Sequence, residues 1–254
     1  MRDSKERFSD RVEDYVKYRP SYPPEIVDEL RAHCRLDGAE VADIGSGPGN
    51  LSRLLIPYAD FVYGVEPNPE MRAAGETVMV DSGKFASVAG SAEQTTLEDA
   101  SVDLVTAGQA YHWFDPAEAH REFARILRPG GQVALVWNSR VSDSTPFLVG
   151  YEQLLRELVP EYVETNHRNV PRHSFDALFG SEGGTTREFD YEQRLDWPGL
   201  RGRALSSSYV PTGGEAGERF LDGLQRLFDA EQTNGTVSFL YKSEIHYGTV
   251  SPSA

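Results

Sequence analysis

At 254 residues the chain is long enough for one large α/β domain with a sizeable core, or for a core plus a small cap. A formal net charge of −15 argues against nucleic acid as a partner, because such binding draws much of its affinity from lysine and arginine on phosphates. Cys34 is the only cysteine, which excludes an internal disulfide, and no apolar run reaches the roughly 20 residues that a membrane span needs. Met1-Arg-Asp-Ser-Lys-Glu-Arg is too charged to open a signal peptide, so the expectation is a soluble, cytoplasmic protein, monomeric or homodimeric, without a membrane partner.

In chain order, Pro24-Glu-Ile26-Val27-Asp-Glu-Leu30-Arg-Ala-His-Cys34 reads as a helix with one apolar face and a proline at its start, and Cys34 as a small buried apolar residue on it. From Val41 strands and helices alternate: strand 41–45, helix 49–57, strand 61–66, helix 69–76, strand 84–89 and a strand from Val102 to Ala107. The next helix is the most plainly bounded. Asp115 caps it, Pro116 takes the first helical position, Glu118 completes a capping box, and Arg128-Pro129-Gly130-Gly131 stops it, with Phe123, Ile126 and Leu127 as its buried stripe. A strand over 132–137 follows. Such alternation implies a parallel, doubly wound sheet covered on both faces.

Beyond residue 141 the signals are fewer. Phe147 to Val159 carries a helical apolar stripe, Arg187 to Leu195 and Phe239 to Tyr247 alternate as strands, and 199–232 reads as a helical insertion rich in serine and glycine at Ser206-Ser-Ser208 and Gly213-Gly214. The last few residues are expected to fray. We read one domain over 1–254: an N-terminal cap and helix (1–35), a cofactor core (36–140), and the remaining sheet with a substrate-side insertion (141–254).

The chemistry centres on Val41-Ala-Asp43-Ile-Gly45-Ser-Gly47-Pro-Gly49-Asn50 and on Phe61-Val-Tyr-Gly-Val-Glu66, a strand, a glycine-rich turn, a helix, and a strand ending in an acid. Glycines let the turn pass close under a ligand, and the closing acid can accept both hydroxyl protons of a ribose. Read alone, the turn is equally a tight connection and Glu66 a solvated strand end. A dinucleotide fingerprint would be G-x-G-x-x-G, whereas these glycines fall at every second residue and Asn50 occupies the third-glycine position. Asp43 would also repel a pyrophosphate at the helix terminus, while it could hold an ammonium group.

This D-x-G-x-G-x-G turn with Glu66 resembles the cofactor loop of the class I S-adenosylmethionine-dependent methyltransferases. The helix start Pro67-Asn68-Pro69-Glu70-Met71, the segment Gly90-Ser91-Ala92-Glu93, and Leu127-Arg128-Pro129-Gly130-Gly131 resemble the same family. Gly108-Gln109-Ala110-Tyr111-His112-Trp113-Phe114-Asp115 and Tyr15-Val-Lys-Tyr18-Arg19-Pro20-Ser-Tyr22-Pro23 resemble a small-molecule subgroup that includes the trans-aconitate-type enzymes. The resemblance implies a Rossmann-like, mostly parallel seven-stranded sheet with an antiparallel last strand, an N-terminal cap, and a helical insertion near the C-terminus. It implies S-adenosylmethionine as cofactor, S-adenosylhomocysteine as product, and a small-molecule methyl acceptor as partner. Gly45, Ser46, Gly47 and Gly49 would carry the methionine end, Asp43 its ammonium and Arg19 its carboxylate. Tyr15 would close the pocket and Glu66 hold the ribose. Pro67, Ser91, Ala92, Glu93 and Gln109 would complete the cofactor side, and Tyr111, His112 and Trp113 would wall the transfer site.

Methyl transfer from a sulfonium needs alignment and exclusion of water more than covalent help, so a general base is required only for an acceptor that holds its proton tightly. His112 is the candidate base, with Tyr111 beside it; a ring packed on Trp113 is the alternative for His112, and His246 has a weaker claim. No metal is expected: the histidines are scattered, and His167 and His173 lack cysteine partners. The competing readings are a sensor that binds the cofactor without transferring its methyl and an NAD(P)-dependent oxidoreductase, the latter disfavoured by glycine spacing and Asp43.

Overall fold

The computed structural model describes residues 12–159, 162, 178–179 and 183–250; the charged first seven residues, His167, His173 and the last four residues lie outside them. Two short helices, α1 (Val12–Tyr18) and α2 (Pro24–His33), precede a seven-stranded sheet. Its strands are β1 (Glu40–Ile44), β2 (Phe61–Val65), β3 (Phe85–Val88), β4 (Val102–Gly108), β5 (Leu127–Arg140), β6 (Thr185–Leu195) and β7 (Val237–Thr249). They lie in the order β3-β2-β1-β4-β5-β7-β6, with β7 antiparallel to both neighbours and the other pairings parallel. The expected Rossmann-like sheet with an antiparallel last strand is therefore the observed one. Chain direction through the sheet reverses at β1, so the crevice between the ends of β1 and β4 is the topological switch point where such folds bind ligands.

The central strands are buried on both faces, and alternate residues divide between two cores. Val41, Leu104 and Val136 pack under Ile26, Val27, Leu30 and Cys34 on one side. Ala42, Ile44, Val105 and Leu135 meet Phe123 and Ile126 of α5 (Pro116–Ile126) on the other. A third cluster joins α6 (Pro146–Leu158), α7 (Trp197–Leu205) and α8 (Gly214–Glu231) to β7, with Phe147, Leu148 and Leu155 against Leu200, Phe220, Leu224 and Phe239. The insertion expected over 199–232 is these two helices; α7 starts earlier because Asp196 accepts the Gly199 amide at 2.9 Å as its N-cap.

Several boundaries differ from the expectations, each for a local reason. Instead of 49–57, regular helix in α3 covers only Ser52–Leu55: Gly49 has φ +84°, which is not helical, and the flanks wind as turns such as Leu54 N–H to Leu51 O. Helix α4 (Pro69–Met79) runs past residue 76, capped by the Asn68 side chain, which accepts the Met71 amide at 2.9 Å. Helix α5 ends at Ile126 because Leu127 is already extended and pairs with Val102, so β5 begins five residues early. Strands β6 and β7 each exceed their expected spans, sustained by an unbroken antiparallel register from Thr185–Tyr247 to Leu195–Val237.

Candidate cofactor and acceptor site

The turn after β1 is held to β2 by its backbone: the Gly45 and Ser46 amides donate to Val65 O at 2.8 and 3.2 Å. Gly45 has φ +65°, and a methyl on it would stand 2.6 Å from the Ala110 Cβ; Gly47 has φ +55° and would meet no atom within 4 Å. The first glycine is thus required by close packing, the second by a left-handed turn that leaves open space above it. Glu66, at the end of β2, bends back to this loop. Its Oε2 accepts the Gly47 amide at 3.0 Å and its Oε1 the Asn68 amide at 2.9 Å. Burial raises its pKa, against the lowering by these two donors.

Asp43 is 1% exposed. Its carboxylate accepts Ser52 Oγ–H at 2.6 Å and Thr106 Oγ1–H at 3.0 Å, the latter from the residue paired beside it on β4. Desolvation raises its pKa to about 6 despite these donors, with a smaller upward contribution from Glu66.

Two adjoining cavities lie over these residues, of about 180 and 210 Å³. The smaller is lined by Glu66, Pro67, Ser91, Ala92 and Glu93, together with Asn68, Met71 and Phe114. The larger is lined by Arg19, Asp43, Ser46 and His112 and continues to Arg140, Arg203, Tyr209 and Tyr241. Tyr15, Gly45, Gly47, Gln109 and Trp113 border both. Of the predicted residues, Gly49 stays beneath the loop, where a methyl would collide with Met79.

The segment after β4 splits its residues between core and cavity. Gln109, at φ +56°, anchors the turn by donating from Nε2 to Asn138 O at 2.9 Å. Trp113 is 41% exposed over the cavities, with the His112 ring 4.8 Å from its own. Tyr111 does not wall the site. It is buried edge-on against Phe114 and Trp137 at 5.7 and 6.4 Å, and burial pushes its hydroxyl up to about 12. A three-residue 3-10 turn, Tyr111–Trp113, rotates its first ring inward and leaves the next two at the cavity.

The capping box at α5 is also built differently. Asp115 accepts the Ala117 and Glu118 amides as expected, but the Asp115 amide is taken by Glu93 Oε1 at 3.0 Å, while Glu118 pairs with Arg121. Glu93 thereby ties the loop after β3 to the start of α5, a link between residues 22 apart that no local pattern announces.

Helix α1 closes the site from above. The Tyr18 ring lies against Gly202 of α7, Gln193 Nε2 donates to Tyr18 O at 2.9 Å, and Arg19 Nη2 donates to Ser206 O at 2.9 Å. The Arg19 guanidinium sits 4.9 Å from the Tyr15 ring centroid, a cation–π distance. Sequence reasoning missed Arg140, Tyr162, Arg203, Tyr209 and Tyr241 at the far end. Their one shared sign was buried arginine among aromatic residues, which becomes visible only once burial is known. His246 lies elsewhere, between Thr186 Oγ1 at 2.9 Å and Glu244 Oε2 at 3.1 Å, and borders neither cavity. Among the described residues no cluster could hold a metal ion, and no helix is long and apolar enough to cross a membrane.

Residues 42–135, from β1 into β5, match the family described as the methyltransferase domain. An uncharacterised methyltransferase-like protein of Schizosaccharomyces pombe is 34% identical over 180 residues, 67% of this chain and 68% of that protein. The chain belongs to the methyltransferase domain family. An uncharacterised methyltransferase of Mycobacterium tuberculosis is 41% identical over 139 residues, and the match spans only 55% of each chain. Among solved structures, a candidate type II methyltransferase from Anaeromyxobacter dehalogenans superposes with a TM-score of 0.69 at 22% identity, covering 92% of this chain and 99% of that one. A candidate methyltransferase of an antibiotic biosynthesis pathway from Anabaena variabilis gives 0.62 at 19% identity over 91% and 98%. The methyltransferase fold thus extends through α6–α8 and β6–β7, beyond the stretch in which the family itself matches.

Proposed function

We propose that this methyltransferase-family chain moves a methyl group from S-adenosylmethionine to a small-molecule acceptor. One observation carries the reading: two cavities meet over Gly45, Gly47 and Gln109, one faced by the ribose-type acid Glu66 and the other by the buried Asp43 and the half-buried Arg19. That spacing of an acid, an acid and a cation suits a ribose, an ammonium and a carboxylate along one ligand. A pyrophosphate would meet Asp43 with like charge, which disfavours a dinucleotide.

When bound, the sulfonium supplies an electrophilic methyl with a neutral leaving group. The chain's residues then bind and align. Each Glu66 oxygen already takes one backbone amide and retains a lone pair for a ribose hydroxyl. Asp43 accepts the Ser52 and Thr106 hydroxyls and the Ser52 amide, and an ammonium beside it favours the ionised form that burial opposes. Arg19 receives the carboxylate; Pro67, Ser91 and Ala92 border the adenine, and Tyr15 and Trp113 border the junction of the two cavities. His112 walls the acceptor side, its ring beside that of Trp113. Alignment of nucleophile, methyl and sulfur is the main contribution, up to about 7–11 kcal/mol in favourable cases.

Calorimetric titration tests the reading. S-Adenosylmethionine and S-adenosylhomocysteine should bind and NADH should not; binding of NADH alone would overturn it. Methyl-labelled cofactor incubated with a metabolite extract should then label a small product, and binding without any label would make the chain a cofactor sensor.

A further inference from the structure

Arg72 stands near the positive end of the α4 dipole, where a cation is disfavoured, on a helix that the Asn68 side chain already caps. The reason for it lies in the turn that carries Glu66. All three carbonyls of that turn end on this one residue: the Arg72 amide donates to Asn68 O at 3.1 Å, and its Nη1 donates to Glu66 O at 2.8 Å and to Pro67 O at 2.9 Å. The amides of the turn are met elsewhere, Glu66 N–H by Val88 O at 3.0 Å and Asn68 N–H by Glu66 Oε1 at 2.9 Å, and Pro67 has none. Every backbone polar group from Glu66 to Asn68 is therefore paired, two of them by the guanidinium. Helix side chains lean toward the N-terminus, which brings Arg72 back over the residues five and six before it.

The guanidinium bears on the carboxylate as well. Glu66 is 9% exposed, and the Arg72 charge favours its ionised form against burial without forming an ion pair with it. A direct ion pair would occupy the lone pairs that face the cavity, whereas a cation held on backbone carbonyls leaves them open; Arg72 itself lines neither cavity. Resting on the reading of Glu66 as the ribose acid, we propose that Arg72 is a positioning residue for cofactor recognition: by clamping the Glu66 and Pro67 carbonyls it fixes the direction in which the Glu66 carboxylate meets the ribose hydroxyls. Without the clamp, two carbonyls must turn to water for partners. The Glu66 backbone sets where its side chain points, so the carboxylate would then meet the hydroxyls only part of the time.

The test compares S-adenosylhomocysteine with its 2′,3′-dideoxy analogue by calorimetry, so that the ratio of the two affinities isolates the ribose hydroxyls. The wild-type protein should favour S-adenosylhomocysteine by about tenfold or more, as expected of hydrogen bonds to a charged group. Arg72→Met should lower that preference at least fivefold and change the affinity for the dideoxy analogue less than twofold. Arg72→Lys, which keeps the charge and its N–H donors, should hold a preference between those of Arg72→Met and the wild type. An unchanged preference in Arg72→Met, or equal losses for both ligands, overturns the proposal. In a Glu66→Gln background, Arg72→Met should change S-adenosylhomocysteine affinity less than twofold; the same loss in both backgrounds overturns it too, because residues acting as a unit are not additive. Should Arg72→Met fail to fold, Arg72→Gln carries the comparison, with the preference expected to fall at least threefold and an unchanged one overturning the proposal. Equal binding of both ligands by the wild type strikes the assignment of Glu66 to the ribose, and the proposal with it. Binding of neither strikes the S-adenosylmethionine reading itself.

Discussion

At the Glu66 end of the cleft, apart from Tyr15 of α1 and Met71 of α4, the groups facing the smaller cavity come from the segments that follow strands: Gly45 after β1, Pro67 after β2, Ser91 after β3 and Gln109 after β4. At the Arg203 end, the lining comes from β5, α7, the turn after it and β7, and from the segment between α1 and α2. The first end is shaped by backbone, with left-handed φ values and amide donors; the second by long side chains whose heads meet from distant parts of the chain. A backbone-built site accepts one ligand geometry, whereas a side-chain-built site can be changed one residue at a time. That difference suits a common cofactor and a variable acceptor.

Four outcomes would break or sharpen this contrast. The largest belongs to Gly45→Ala, which combines a left-handed φ of +65° with a contact at 2.6 Å to the Ala110 Cβ. Its unfolding free energy, read from urea melts, should fall by about 2–4 kcal/mol. Gly47→Ala, with no atom within 4 Å, should lose only about 1–2 kcal/mol of stability. Equal losses would remove the packing role assigned to the first glycine.

Glu66→Ala comes next. It removes a charged acceptor and strands the Gly47 and Asn68 amides, so affinity for S-adenosylhomocysteine by calorimetry should drop by about 1.5–3 kcal/mol. An unchanged affinity would place the ribose elsewhere.

The third outcome is a pH profile. Burial raises the pKa of Asp43 to about 6, so in the unliganded protein its carboxyl is mostly neutral at pH 5 and mostly ionised at pH 7. A ligand ammonium needs the ionised form. Cofactor affinity should therefore rise about tenfold from pH 5 to pH 7 and level off above, and Asp43→Asn should flatten the curve. A flat wild-type profile would sever Asp43 from the ammonium.

The smallest effect is expected at the acceptor end, from His112→Gln. A nucleophile that carries no proton at neutral pH needs no base, so kcat with such an acceptor should fall less than about tenfold. A fall of about 100-fold or more would make His112 a general base and call for an acceptor with a tightly held proton.

The legible part of the site follows the same division. Asp43, Gly45, Gly47 and Glu66 could be singled out because their roles depend on local backbone and on position after a strand, both of which spacing encodes. Tyr111 was misplaced because spacing does not say which way a 3-10 turn rotates its rings. Glu93 was expected at the cofactor and lines that cavity, yet its bond to the Asp115 amide was invisible, since it joins two loops through space. Arg201 and Arg203 show the limit most plainly: two residues apart on α7, the first is exposed and the second buried. The apolar pattern of Trp197-Pro-Gly-Leu-Arg-Gly-Arg-Ala-Leu205 does not distinguish them.

By itself the sequence determined the alternating strands and helices, the glycine turn with its following acid, and hence the place of that turn at the switch point of the sheet. These depend on hydrophobic period and on φ values open to few residues, which neighbouring positions encode. Only the tertiary structure decided that Tyr111 belongs to the core, that Glu93 staples α5, and that Arg19 and Arg203 line one cavity. Burial and charge balance are properties of what surrounds a side chain, and here the surroundings come from segments nearly 190 residues apart, as the Arg19 to Ser206 bond across 187 positions records.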